Sequence, residues 1–125
     1  MDHIKYQSRE ALPEQWRTLM EAAKELLAQV SSARQAVAVL TGNNRYCQAS
    51  GNPMEDWEAG LAETLAMEQD ARVRYLVCMW EDGTLDVPSA RLRALLMASA
   101  ENQETQVLLQ GAQGYTVKTL RDIGA

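Results

Sequence analysis

The segment Val-Arg-Tyr-Leu-Val-Cys-Met-Trp, residues 73 to 80, constrains the fold more than any other stretch of this chain. A strand with one face in water alternates apolar and polar side chains, whereas this run is almost continuously apolar, as in strands covered on both faces. It therefore belongs in the middle of a sheet, with layers packed above and below. The question is what the rest of the chain supplies to build those layers.

Helical and strand-like segments alternate on either side of it. From Pro13 to about Val30 the residues Trp16, Leu19, Met20, Ala23, Leu26, Leu27 and Val30 recur at helical spacing, which predicts an amphipathic first helix. Gln35 to Thr41 is rich in strand formers. The turn residues Gly42, Asn43 and Asn44 follow, and 45–50 returns as the second arm of a hairpin. A second helix is predicted over 52–67, with Asn52 as its cap, Pro53 in the first turn, Glu55 three residues after the cap, and Met54, Trp57, Leu61 and Leu65 on one stripe. After the turn-like Glu81-Asp82-Gly83-Thr84, residues 88–98 form a third helix with Leu92, Leu95 and Leu96 inward. Pro88 and Ser89 sit in its first turn, and Asp86 is placed to cap it or to favour its dipole. Two further strands, near 105–110 and 114–120, are joined by the short link Gly111-Ala112-Gln113-Gly114 and must pair antiparallel, because a parallel return needs a longer crossover. The order predicts a three-layer α/β/α sandwich on a five-stranded mixed sheet. Residues 73–80 form its central strand, between the hairpin and the strand at 105–110.

Size and charge exclude several function classes. With 125 residues, 46% of them hydrophobic, the chain is expected to form a single domain spanning 1–125. Its 12 Lys and Arg against 17 Asp and Glu leave a net charge of −5. The basic residues are scattered, which argues against nucleic acid and anionic membranes as partners. No apolar run reaches signal-peptide or membrane-spanning length, so a cytoplasmic protein is expected. Cys47 and Cys78 have no CxxC spacing and read as free thiols. His3, Cys47 and Cys78 lack the spacing of metal ligands. Trp16, Trp57 and Trp80 read as core and interface residues.

Two motifs carry a resemblance. Leu61-Ala62-Glu63 with Ala66 and Met67 falls on the second helix, and Pro88-Ser89-Ala90-Arg91-Leu92-Arg93 opens the third. Together they resemble the cytidine deaminase family, whose signature is a Cys- or His-Ala-Glu opening the second helix and a Pro-Cys-x-x-Cys opening the third. The order of elements and the C-terminal Thr-Val-Lys-Thr-Leu-Arg-Asp-Ile-Gly are also similar to the small homo-oligomeric members. The resemblance places Leu61, Ser89 and Leu92 at the three zinc-ligand positions, and Glu63 at the position of the proton-shuttling glutamate. It puts Asn52 and Glu55 in the region that holds the ribose, although their spacing of three departs from the family's two, and it sets Arg93 near the pocket or a subunit contact.

That resemblance implies a fold without its usual chemistry. Leucine has no lone pair to offer zinc, and a neutral serine hydroxyl is a poor ligand. Without the metal, a water that would ionise near about pH 7 returns towards a pKa of about 15.7, a difference of roughly 12 kcal/mol in forming hydroxide. A general base such as Glu63 contributes only about 10²- to 10⁴-fold. The expectation is a protein with neither zinc nor another cofactor, whose pocket candidates are Asn52, Glu55, Leu61, Ala62, Glu63, Ser89 and Leu92. Glu63 is the sole candidate for a catalytic remnant among them, and its residue type and place favour a solvated or salt-bridged helix residue over that role. Such a protein serves as a binding or interaction module, assembles as a homodimer or homotetramer, and takes a nucleoside-like small molecule if it keeps a pocket. The alternative is a metal-independent hydrolase or deaminase in which Glu63 acts with Asp86 or Glu55.

Overall fold

A computed structural model describes residues 4–52, 54–112 and 114–124. Residues 73–80 form the strand expected, Val73–Trp80 (β4), and its neighbours explain its composition. The described residues build a mixed sheet of six strands. They are β1 (Ile4–Tyr6), β2 (Gln35–Thr41), β3 (Tyr46–Gly51), β4, β5 (Gln106–Gly111) and β6 (Gly114–Thr119), in the spatial order β1-β6-β5-β4-β2-β3. β4 pairs antiparallel with β2 and parallel with β5, and β5 pairs antiparallel with β6, so it is interior as its apolar run requires.

Helices cover both faces. On one face α1 (Glu14–Gln29) packs Trp16, Leu19, Met20 and Ala23 onto Ala36, Ala38, Val77, Met79 and Leu108 of the sheet. Trp16 meets the Tyr75 ring edge-on, with centroids 5.2 Å apart. On the other face α2 (Glu58–Met67) and α3 (Ala90–Met97) bury Leu61, Leu65, Leu92 and Leu96 against Val37, Val39, Leu76, Cys78 and Val107. Alternate residues of β2 thus feed opposite cores, as the two-residue period of a strand dictates. A short α4 (Leu120–Gly124) closes the second face, with Leu120 fully buried.

Three expectations are corrected. The sheet has six strands rather than five, because Ile4–Tyr6 adds to β6 with Ile4 opposite Val117 and Tyr6 opposite Tyr115. A three-residue edge strand is too short to leave a periodic signal. The second helix begins at Glu58, not near Asn52. The Asn52 side chain accepts a hydrogen bond from the Met54 amide at 3.0 Å and shapes a turn instead of capping a helix, Met54 is 91% exposed, and Pro53 lies outside the described residues. The third helix is Ala90–Met97 and its cap is Ser89, whose hydroxyl accepts from the Leu92 amide at 3.1 Å. Asp86 does not cap it. Its carboxylate accepts from the Trp80 indole N–H at 3.0 Å and from the Val87 amide at 2.7 Å.

Candidate functional site

α2 and α3 lie side by side on one face of the sheet, and the later start of α2 changes which residues stand at their junction. Leu61-Ala62-Glu63 is in the second turn of α2, not at its opening. Leu61 is 4% exposed and belongs to the core shared with Leu92, Ala62 is half-buried, and Glu63 is exposed. The residue that opens α2 is Glu58, only 7% exposed. The Ser89 hydroxyl donates to its carboxylate at 2.6 Å while accepting from Leu92, so one oxygen ties the first turn of α2 to the first turn of α3. The positive end of the α3 dipole favours that carboxylate. A second tie runs outside it, where the exposed Arg91 guanidinium meets both Asp56 oxygens at 3.3 and 3.2 Å.

Cys78 reaches the same core from the middle of β4. Burial pushes its thiol up to about 12, and the nearby carboxylates of Asp86 and Glu58 push in the same direction, so the sulfur keeps its proton at neutral pH. Cys47, on β3, is likewise raised, mainly by burial. β2 runs between the two strands, with Cys47 opposite Val39 and Cys78 opposite Val37, and both cysteines are free. His3 lies outside the described residues.

The other expected site residues are not gathered here. The Asn52 side chain is engaged in its own turn and Glu55 is exposed. Arg93 donates to the Ile123 carbonyl at 3.2 Å, which places it between α3 and α4. Trp57 has its indole N–H buried without a partner among the described residues, and its ring fills the space where a Gly51 Cβ would stand.

Glu58 escaped the sequence reading although a signal for it exists. Glu58, Leu61 and Leu65 are spaced i, i+3 and i+7, so the buried stripe of α2 runs back to a carboxylate. The same phase turns Glu63 outward, two residues beyond Leu61.

Zinc needs three or four good donors in a tetrahedral arrangement. The junction offers a carboxylate and a hydroxyl already bonded to each other, two leucines and a protonated thiol. Among the described residues no three of His, Cys, Asp and Glu stand close enough to hold a metal ion. The described residues at this junction do not fit zinc.

Solved structures share this architecture. Cytidine deaminase from Mycobacterium leprae superposes with a TM-score of 0.69 over 89% of this chain and 98% of its own, at 20% identity. The Mycobacterium tuberculosis enzyme gives 0.66 over 89% and 94% at 18% identity, and that of Burkholderia pseudomallei 0.64 over 90% and 96% at 14%. The chain has the cytidine deaminase fold. No family model matches it, and no curated protein is similar to it in sequence. At these identities the likeness is one of fold, and the contents of the site are this chain's own.

Proposed function

We propose that this chain is a cytidine-deaminase-fold protein without zinc that works as a binding or interaction module related to nucleosides and does not deaminate them. The observation that supports this reading is the Ser89–Glu58 hydrogen bond, which engages the Ser89 hydroxyl and one oxygen of the Glu58 carboxylate where α2 and α3 meet. The buried Leu61 and Leu92 occupy the volume around it and offer no ligand. A metal-independent hydrolase is not favoured. Glu63, its proposed base, is exposed on the outer side of α2, and the lone His falls in the N-terminal tail, outside the described residues.

The module is expected to self-associate, since Tyr46, Met54, Met67 and Val87 present apolar surface to solvent. No helix among the described residues is long and apolar enough to cross a membrane, and two free thiols suit a reducing cytoplasm.

An ammonia-release assay with cytidine and deoxycytidine, run beside a thermal-shift panel of nucleosides, tests the reading. A nucleoside that raises Tm without releasing ammonia is the expected result. Turnover of either substrate would overturn it. Light scattering at micromolar concentration reads the assembly, and a monomeric mass would remove the self-association from the proposal.

A further inference from the structure

A concavity lies away from the α2–α3 junction, on the α1 face of the sheet. It has a volume of about 530 Å³, within the range of about 300 to 1,000 Å³ typical of small-molecule sites. Its base is apolar and buried. Met20, Ala33 and Met79 are 6%, 5% and 4% exposed, and Leu27 and the half-buried Tyr115 stand beside them. Its position in the fold is a second, separate pointer. Met79 and Gln110 lie at the carboxyl ends of β4 and β5, which run parallel. Open α/β sheets take their ligands outside the carboxyl ends of such strands.

The charges on the rim decide the class of ligand. Arg9 is paired with Glu21, and Glu81 with Arg34 at 3.5 Å. Asp82 accepts from both the amide and the hydroxyl of Thr84, at 3.0 and 2.7 Å. Of the two rim cations, Lys24 is the one that makes no ion pair with the described residues, and it is exposed, while the Asp82 carboxylate is held by Thr84 alone. The Gln110 carboxamide uses its oxygen to accept from the Leu85 amide at 3.2 Å, which leaves its nitrogen as a donor. Among the described residues the cavity therefore offers one cation outside an ion pair, Lys24, and the Gln110 carboxamide nitrogen as a donor beside the Ser31 and Tyr115 hydroxyls, above a floor of two thioethers, a leucine and a phenol ring.

We propose that this cavity binds a small amphiphilic anion, a planar aromatic carboxylate, with its ring on Met20, Leu27 and Met79 beside Tyr115 and its carboxylate at Lys24. Thioethers make favourable contacts with aromatic rings, and a flat ring against Tyr115 adds stacking that an aliphatic chain lacks. A single cation outside an ion pair among the described residues matches a single negative charge, and the engaged carboxylates of Glu81 and Asp82 disfavour a second. The proposal is independent of the reading given to the α2–α3 junction, so either can fail without the other.

The test titrates 2-naphthoate into the full-length chain and follows the methionine methyl signals by NMR. Met20 and Met79 should shift saturably while Met54 and Met67, 91% and 84% exposed and outside the cavity, stay in place. Lys24→Met, an exposed substitution that spares the core, should weaken 2-naphthoate by about fivefold, the scale of an exposed ion pair. It should leave the neutral 2-naphthamide unchanged. Ala33→Leu should abolish binding of both by filling the floor. Absence of any shift at millimolar ligand, equal shifts at Met54 and Met67, or a Lys24→Met protein that binds 2-naphthoate as before would each overturn the proposal.

Discussion

A carboxylate removed from water must find a donor or a counter-charge, and Glu58 finds the Ser89 hydroxyl. Ser89→Ala deletes that donor and the cap of α3 together, so stability should fall by about 1 to 3 kcal/mol, read as a lower urea midpoint with an unchanged slope. Glu63→Gln, on the exposed side of the same helix, should stay within about 0.5 kcal/mol of the parent. A larger loss from Glu63→Gln than from Ser89→Ala would mean that the wrong glutamate has been placed at the junction. Cys78 gives a second reading of the same core. Its folded pKa, about 12, lies above the unfolded value of 9.0, so the folded state retains a proton that the unfolded state gives up. That contribution is complete below about pH 9 and is lost as the pH climbs towards 12. Denaturation midpoints should therefore decline over this alkaline window, and Cys78→Ala should flatten the decline. An identical decline in both proteins would assign it to other groups.

Elements are tied together here by side chains that satisfy backbone groups. Asn102, 1% exposed, accepts from the Val73 amide at 2.8 Å and donates to the Ala71 and Leu96 carbonyls at 2.9 and 3.0 Å. One side chain thus fastens the start of β4 to the end of α3. Asn102→Ala strands two buried backbone groups, the Val73 amide and the Leu96 carbonyl, and the part-buried Ala71 carbonyl, and should cost at least about 2 kcal/mol, whereas Gln103→Ala, at an exposed neighbour, should be near neutral in the same chemical denaturation series. A near-neutral Asn102→Ala would show that water replaces the side chain. The bonds to Val73 and Ala71 are not legible in the sequence, because each joins residues that become neighbours only after the sheet has formed. What is legible is local. The apolar run of β4, the α1 stripe and the β2–β3 hairpin follow from period and turn chemistry, and the antiparallel β5–β6 pair follows from the shortness of its link. The start of α2 was not, since Asn52 and Glu55 imitate a capping box while Trp57 packs onto Gly51 and delays the helix to Glu58. β1 was missed for a related reason. Its seat on β6 depends on Gly114, whose φ of +126° and lack of a Cβ let the Tyr6 carbonyl approach.

At the scale of the whole molecule, the described residues place one long helix on one face of the sheet and two shorter helices on the other, in a fold similar to that of solved cytidine deaminases. Here a hydrogen bond joins the first turns of α2 and α3, and among the described residues the groups at this junction are too few and too poor as donors to hold zinc. The proposal that a Ser–Glu bond without a metal holds this junction is tested most directly by the metal content of the purified chain. Elemental analysis of protein prepared without chelators should find far less than one zinc per chain, with Tm unchanged by EDTA. One tightly held zinc per chain, removed by EDTA with a fall in Tm, would contradict it.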